Sequence, residues 1–229
     1  MTQLSPDGII DQVVSTLHER LPVQANTIET FIRLYYRGTS EKDLKTSSIS
    51  DLYSKVIAHW SLGSHFKPGS GSNIRVYNPR SDTQGWDSVH TIVEIVTDDA
   101  PFLVDSVRMA INRLGFSIHL SIHPVMHIER DAEDNFIRAM RRDEAGPEVR
   151  RESFMLFEID RQNDETVLAK IQTEVQQSVQ DVHTIVSDFD AMRGQLKNVL
   201  AQISKQPPPL NPDDLQEGSA FLQWLFEDN

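Results

Sequence analysis

Apolar residues along this chain follow two periods, and the switches between them mark out its elements. Val89, Thr91, Val93 and Ile95 share one strand face, and Ile92 and Val96 add bulk to the other. That alternation predicts a largely buried strand. Asp98-Asp99-Ala100-Pro101 stops it, offering carboxylates for an N-cap and a proline suited to a first helical turn. Leu103, Val107, Ala110, Ile111 and Leu114 then recur at helical spacing, with Gly115 as a left-handed C-cap. Phe116, Ile118, Leu120 and Ile122 alternate with Ser117, His119, Ser121 and His123, so a second strand begins at once. The short connections predict a strand–helix–strand unit whose two strands are a neighbouring parallel pair with a right-handed crossover.

Upstream, Ser5-Pro6 reads as N-cap and first helical residue, and Ile9, Ile10, Val13, Val14, Leu17 and Leu21 form one stripe that Pro22 closes. A second helix is predicted from about Asn26 to Arg37, ended by Gly38, and a third from about Ser50 to Ser64. Residues 1–66 then form a helical subdomain, and the Gly- and Ser-rich run at 67–72 a linker. Ile74 and Val76 open a short strand ended by Asn78-Pro79. Asp131 to Asn135 is a hairpin turn, Phe136 to Met140 its return strand, and Phe154, Leu156, Phe157 and Ile159 a buried strand. From Asp164, Leu168, Ile171, Val175, Val179, Val182 and Val186 recur at steps of three and four, and Met192, Leu196, Val199, Leu200 and Ile203 share one side further on, either as one bent helix or as two, the second opened by a capping box at Ser187-x-x-Asp190. Pro207-Pro208-Pro209 ends that segment, and Asn211 caps a last aromatic helix, Asp213 to Glu227. The α/β part is thus 73–204, and 205–229 is a proline-rich linker with a terminal helix expected to lead into a next domain.

The central string carries a resemblance. A strand ending in D-x-P, a helix with L-V-x-S-V, then L-G-F-S-I resembles the first half of an ACT domain, the small βαββαβ regulatory module. With I-H-P-V at Ile122 to Val125, Arg75-Val76-Tyr77-Asn78-Pro79 upstream and Glu152-Ser153-Phe154-Met155 to Arg161 downstream, the chain is similar to the N-terminal region of the large bacterial NAD-dependent glutamate dehydrogenases. The likeness is dense from Ile74 to Arg161 and sparse elsewhere. It implies an α+β fold, an ACT-like (ferredoxin-like) βαββα two-layer sandwich with helices added at both ends. It further implies a non-catalytic regulatory or assembly segment of an oxidoreductase that deaminates L-glutamate to 2-oxoglutarate and ammonia. NAD would serve the parent enzyme, with no cofactor in this segment. The implied partners are other domains and subunits of that enzyme, in a homo-oligomer, and a small amino-acid effector. The alternative is a purely structural docking scaffold with no effector site. One departure stands out: nothing after Arg161 reads as the closing ACT strand, and the strand at Ile74 to Asn78 would fill that edge from the N-terminal side.

Composition narrows the field. A net charge of −12 argues against a nucleic-acid surface. Arg138, Arg141, Arg142, Arg150 and Arg151 are interrupted by Asp143, Glu144 and Glu148 and read as a solvated hairpin rim. With no cysteine, disulfides, thiolate metal sites and a cysteine nucleophile are excluded. Met1 to Pro6 has neither a basic nor an apolar leader region, and no run approaches the ~20 apolar residues of a membrane span. A cytoplasmic protein is expected.

Candidate chemistry is sparse. His119, His123 and His127 lie four residues apart, which on a strand is ~13 Å, too far for two ligands of one metal ion. Asp98, Asp99 and Asp105 cluster at a helix start; an acid–base pair is one reading, and helix capping explains the placement with less. The ACT resemblance places an effector at the loop Thr97 to Ser106, where Asp98, Asp99, Ala100, Phe102, Asp105 and Ser106 are the candidate contacts. Backbone N–H groups at that helix start would hold an amino-acid carboxylate. Many amino-acid-binding ACT domains have glycine where this chain has Phe102, whose ring would obstruct a ligand, and this weighs toward a structural turn. No G-x-G-x-x-G, P-loop or G-x-S-x-G is present, so no catalytic or dinucleotide-binding residue is proposed.

Overall fold

In the computed structural model residues 5–147 and 149–227 are described. Residues 1–4, read above for a leader, Glu148 of the arginine-rich rim, and residues 228–229 lie outside them. The chain divides into two compact units, Met1–Val182 and His183–Asn229.

The first unit opens with α1 (Pro6–Arg20), α2 (Ala25–Tyr36), α3 (Glu41–Thr46) and α4 (Ile49–Ser64). The hydroxyls of Ser5, Ser40 and Ser48 accept from the N–H groups of Gly8, Asp43 and Asp51, satisfying donors that a helix leaves open at its start. The apolar pattern anticipates α1, α2 and α4. It misses α3, whose six residues bury only Leu44.

Then come β1 (Ser72–Tyr77), β2 (Thr91–Asp98), α5 (Leu103–Arg113), β3 (Ile118–Ile122), β4 (Val125–Arg130), β5 (Phe136–Met140), β6 (Arg150–Ile159) and α6 (Glu165–Lys205). The sheet order is β1-β2-β6-β4-β5, with β3 also paired to β6. β3 and β4 lie end to end along β6, from Ile118↔Ile159 to Ile128↔Arg150, and break at His123-Pro124. Proline offers no N–H to a ladder, yet the Pro124 carbonyl still accepts from Phe154 N at 3.0 Å.

One expectation is corrected here. β2 and β3 do run the same way, but they are not neighbours: each pairs antiparallel with β6, which lies between them. The crossover through α5 fixes only their relative direction, and a strand arriving later fills the gap. Val89 is exposed and β2 starts at Thr91. At the far edge β1 pairs antiparallel with β2, from Ser72↔Thr97 to Tyr77↔Ile92. The edge that lacks a closing strand is therefore filled from the N-terminal side, as anticipated, and the class is α+β and ACT-like.

Alternation sends Ile92, Val96, Phe154 and Leu156 to one face, where they share a core with Val13, Leu17, Phe31 and Tyr35 of the helices. Val93, Ile95, Met155, Phe157 and Ile159 belong to the other face and are buried, as are Val107 and Ile111 of α5 and Ile171 and Val175 of α6. The N-terminal helices thus add a third layer to the sandwich.

That added layer meets the sheet across buried charge. Arg75 donates to Glu94 Oε2 through Nε at 2.9 Å and to Ala58 O of α4 at 3.1 Å. Arg130 holds both oxygens of Glu152, at 2.7 and 2.8 Å, and donates to Gly63 O of α4 at 2.8 Å. Lys55 of α4 reaches Glu158 Oε1 at 2.5 Å. His59, fully buried, lies between the Tyr35 hydroxyl (2.9 Å) and the Ile95 carbonyl (3.1 Å). Close approach is possible because Gly63 has no side chain: a Cβ there would stand 2.4 Å from the Phe154 ring.

The second unit holds the rest of α6 and α7 (Pro212–Phe226), which Asn211 caps by accepting from Asp213 N. Glu165 to Lys205 is one helix, which decides between the two readings of that stretch.

Candidate functional site

The loop after β2 departs from the expected helix cap. Asp99 N–H donates to Arg151 O at 2.9 Å, carrying the ladder with β6 past Asp98. Phe102 then turns the chain with φ 69°, in the left-handed region, and the first helical bond runs from Ser106 N to Phe102 O at 3.0 Å. α5 therefore starts at Leu103, Pro101 stands outside it, and no side chain caps it. Asp98 and Asp99 have other partners. Asp98 Oδ2 accepts from Gly69 N at 2.6 Å, and Asp99 takes the Arg151 guanidinium and the Ser153 hydroxyl, the latter at 2.6 Å. A carboxylate paired with a guanidinium gains more than one capping an exposed helix end.

Around this turn lies a cleft of about 680 Å³, walled by residues 98–105, by His123 and Val125 at the β3–β4 break, and by residues 149–151 entering β6. Asp98, Asp99, Ala100, Phe102 and Asp105, named from the sequence, line it; Ser106 does not. Phe102, 71% exposed, is itself part of the lining. His123, Arg150 and Arg151 join from elements distant in sequence, where they read as a sheet histidine and rim arginines. Pro124 was the one local sign that the strand breaks there.

Behind the cleft, Ser153 is fully buried and links Asp99 to His123, whose Nε2 lies 3.4 Å from the Ser153 oxygen. Burial holds the His123 imidazole below its ordinary range, against the pull of Asp99 and Asp105. A neutral His123 donating from Nε2 keeps Nδ1 as an acceptor. The serine proton is committed to the carboxylate and the oxygen is out of reach of a substrate, so this triplet supports no acyl transfer. What the cleft does present is Asp98, Asp99 and Asp105 together with Arg150 and Arg151, opposite charges lining one concavity, with Asp99 and Arg151 already paired.

His119 lies apart from His123. His119 pairs with Asp160 at 2.7 Å and stacks on His90 at 4.3 Å. Among the described residues no group of histidines and carboxylates is placed to hold a metal ion. No helix among them is long and apolar enough to cross a membrane.

A model of the "Glutamate dehydrogenase, ACT1 domain" family matches residues 31–175, from α2 into the first part of α6. The chain belongs to that family. Over 223 residues, 96% of the chain, it is 33% identical to the NAD-specific glutamate dehydrogenase of Halomonas elongata. It is 31% identical to the enzyme of that name from Pseudomonas aeruginosa over 88% of the chain, and 24% identical to that of Mycobacterium tuberculosis over 85%. The chain spans only 14% of the first relative's length and 12% of the other two. The ACT1 residues do not fit the NAD of those names. Dinucleotides seat where the carboxyl ends of parallel strands open a crevice, and among the described residues every strand pairing is antiparallel.

Proposed function

We propose that this chain is a regulatory and assembly segment of a cytoplasmic NAD-dependent glutamate dehydrogenase. It takes no part in the chemistry, and a small amino acid binds in the cleft around residues 98–105. The parent reaction is oxidative deamination of L-glutamate to 2-oxoglutarate and ammonia, with NAD and glutamate bound elsewhere in the enzyme. One observation supports the effector reading: carboxylates and guanidiniums together line a cleft sized for a small molecule, the two charges that an α-ammonium and an α-carboxylate require. Arg150 and Arg151 suit the carboxylate, Asp98 and Asp105 the ammonium. Binding becomes regulation only where the ligand prefers one state of the enzyme over another.

The test is a thermal-shift screen of the chain against the common amino acids, followed by titration calorimetry of any hit on Asp105→Asn and Arg150→Ala variants. One amino acid should raise the melting temperature by several degrees, and each variant should weaken it at least tenfold. Absence of any shift removes the effector and leaves assembly as the role. Micromolar binding of NAD to this chain would contradict the division of labour.

A further inference from the structure

The second unit leaves an apolar seam uncovered. Along α6, Ile185, Phe189, Met192, Leu196, Val199 and Ile203 recur at steps of four, three, four, three and four, the spacing of a coiled-coil seam. Of these, Ile185 is 62% exposed, Phe189 49%, Met192 63% and Val199 40%. Leu196 and Ile203 are half-buried, and Arg193 lies over the rings of both Phe189 on the seam and Phe226 of α7. Arg193 donates to the Phe226 carbonyl at 3.2 Å, fixing the two helices as an antiparallel hairpin. Phe221 and Leu225, four apart on one face of α7, are exposed too. A contiguous apolar face of this kind marks an interaction site.

We propose that this face is where a second copy of the chain docks, the two α6 helices running antiparallel about a two-fold axis level with residue 194. Two features select a copy of the same chain in that orientation. The seam is palindromic: rotation about residue 194 sets Ile185 against Ile203, Phe189 against Val199 and Met192 against Leu196, so one surface complements itself, as an isologous interface requires. Charge is also segregated along the helix, with Asp188 and Asp190 before the midpoint and Lys197 and Lys205 after it. Antiparallel docking places each acidic half beside a basic half and opposes the helix dipoles, whereas parallel docking would set like charges together. Two such hairpins make a four-helix bundle.

Sedimentation and light scattering on the 229-residue chain across a range of concentrations test this, with Phe189→Glu/Met192→Glu as the disrupting variant. The wild type should approach twice 26.1 kDa, and the variant should stay monomeric with unchanged helicity, because both side chains are exposed in the single chain. The cysteine-free sequence allows orientation to be read directly. Ile185→Cys mixed with Ile203→Cys should give a disulfide-linked heterodimer on oxidation, while Ile185→Cys alone should not. A chain monomeric at every concentration, a dimer indifferent to the two glutamates, or efficient crosslinking of Ile185→Cys to itself would each overturn the proposal.

Discussion

Replacing Arg130 with methionine removes a cation from one of the most enclosed places in the fold. Its side chain is 6% exposed and that of Glu152 is fully buried. The guanidinium satisfies both Glu152 oxygens, the Asp134 carbonyl at 2.9 Å and the Gly63 carbonyl at 2.8 Å. Methionine fills much of the volume but leaves a buried carboxylate with no counter-charge. Breaking a buried pair in this way costs about 3–5 kcal/mol, a large part of the roughly 5–15 kcal/mol by which domains are stable. The loss has a pH signature. Burial already raises the Glu152 carboxyl above its ordinary range, with Arg130 pulling it back down. Without Arg130 it rises further, and the native state takes up a proton that the unfolded chain does not bind. The stability difference between wild type and variant should therefore be largest at pH 7–8 and shrink as the pH falls toward 5. Urea unfolding of both proteins over that range is the assay, with Arg130→Met/Glu152→Leu as companion. A loss below about 1 kcal/mol, a gap that does not change with pH, or a double variant no more stable than the single one would refute the reasoning.

Other positions give independent checks. Burial drives the His59 imidazole down to about 3, so the native state binds fewer protons there than the unfolded chain. Stability should fall as pH drops from about 6.5 toward 3, by up to about 1.4 kcal/mol per pH unit from this group, and His59→Gln should flatten that slope; identical slopes would count against it. Gly63→Ala should cost about 1–3 kcal/mol by forcing a methyl into the Phe154 ring, and combining it with Phe154→Leu should recover part of the loss, so strictly additive losses would contradict the contact. Phe102→Gly should raise stability by up to about 1 kcal/mol, since relief of a left-handed backbone exceeds the entropy cost of glycine; a melting temperature lowered by several degrees would mean that the ring packs instead.

Local elements were legible in the sequence where period and punctuation agreed. β2, α5 and β3 announce themselves in turn, and Gly115 takes the left-handed conformation that its place after α5 predicts, at φ 88°. What escaped was non-local. Nothing between Val89 and Ile122 says that β6 will slip between β2 and β3, because that depends on a strand supplied later in the chain. The buried Glu94 and Glu152 and the half-buried Glu158 look like solvent-side strand positions until their partners are known, and Lys55 reaches Glu158 across 103 residues of sequence. The cleft was half legible: its loop carries a recognisable string, but Arg150, Arg151 and His123 arrive from elsewhere. The capping role for Asp98 and Asp99 failed for the same reason, since Gly69, Arg151 and Ser153 outcompete the helix for them.

Filling the sheet edge with β1, ahead of β2, has a consequence for what comes after β6. A chain that must supply its own last strand has to turn back after its second helix, and that return limits how long the helix can be. Here the place beside β2 is already occupied from Ser72 to Tyr77, so α6 owes the sheet nothing beyond its first turns. It is free to continue as one helix to Lys205, well past Val182, the last residue that it buries.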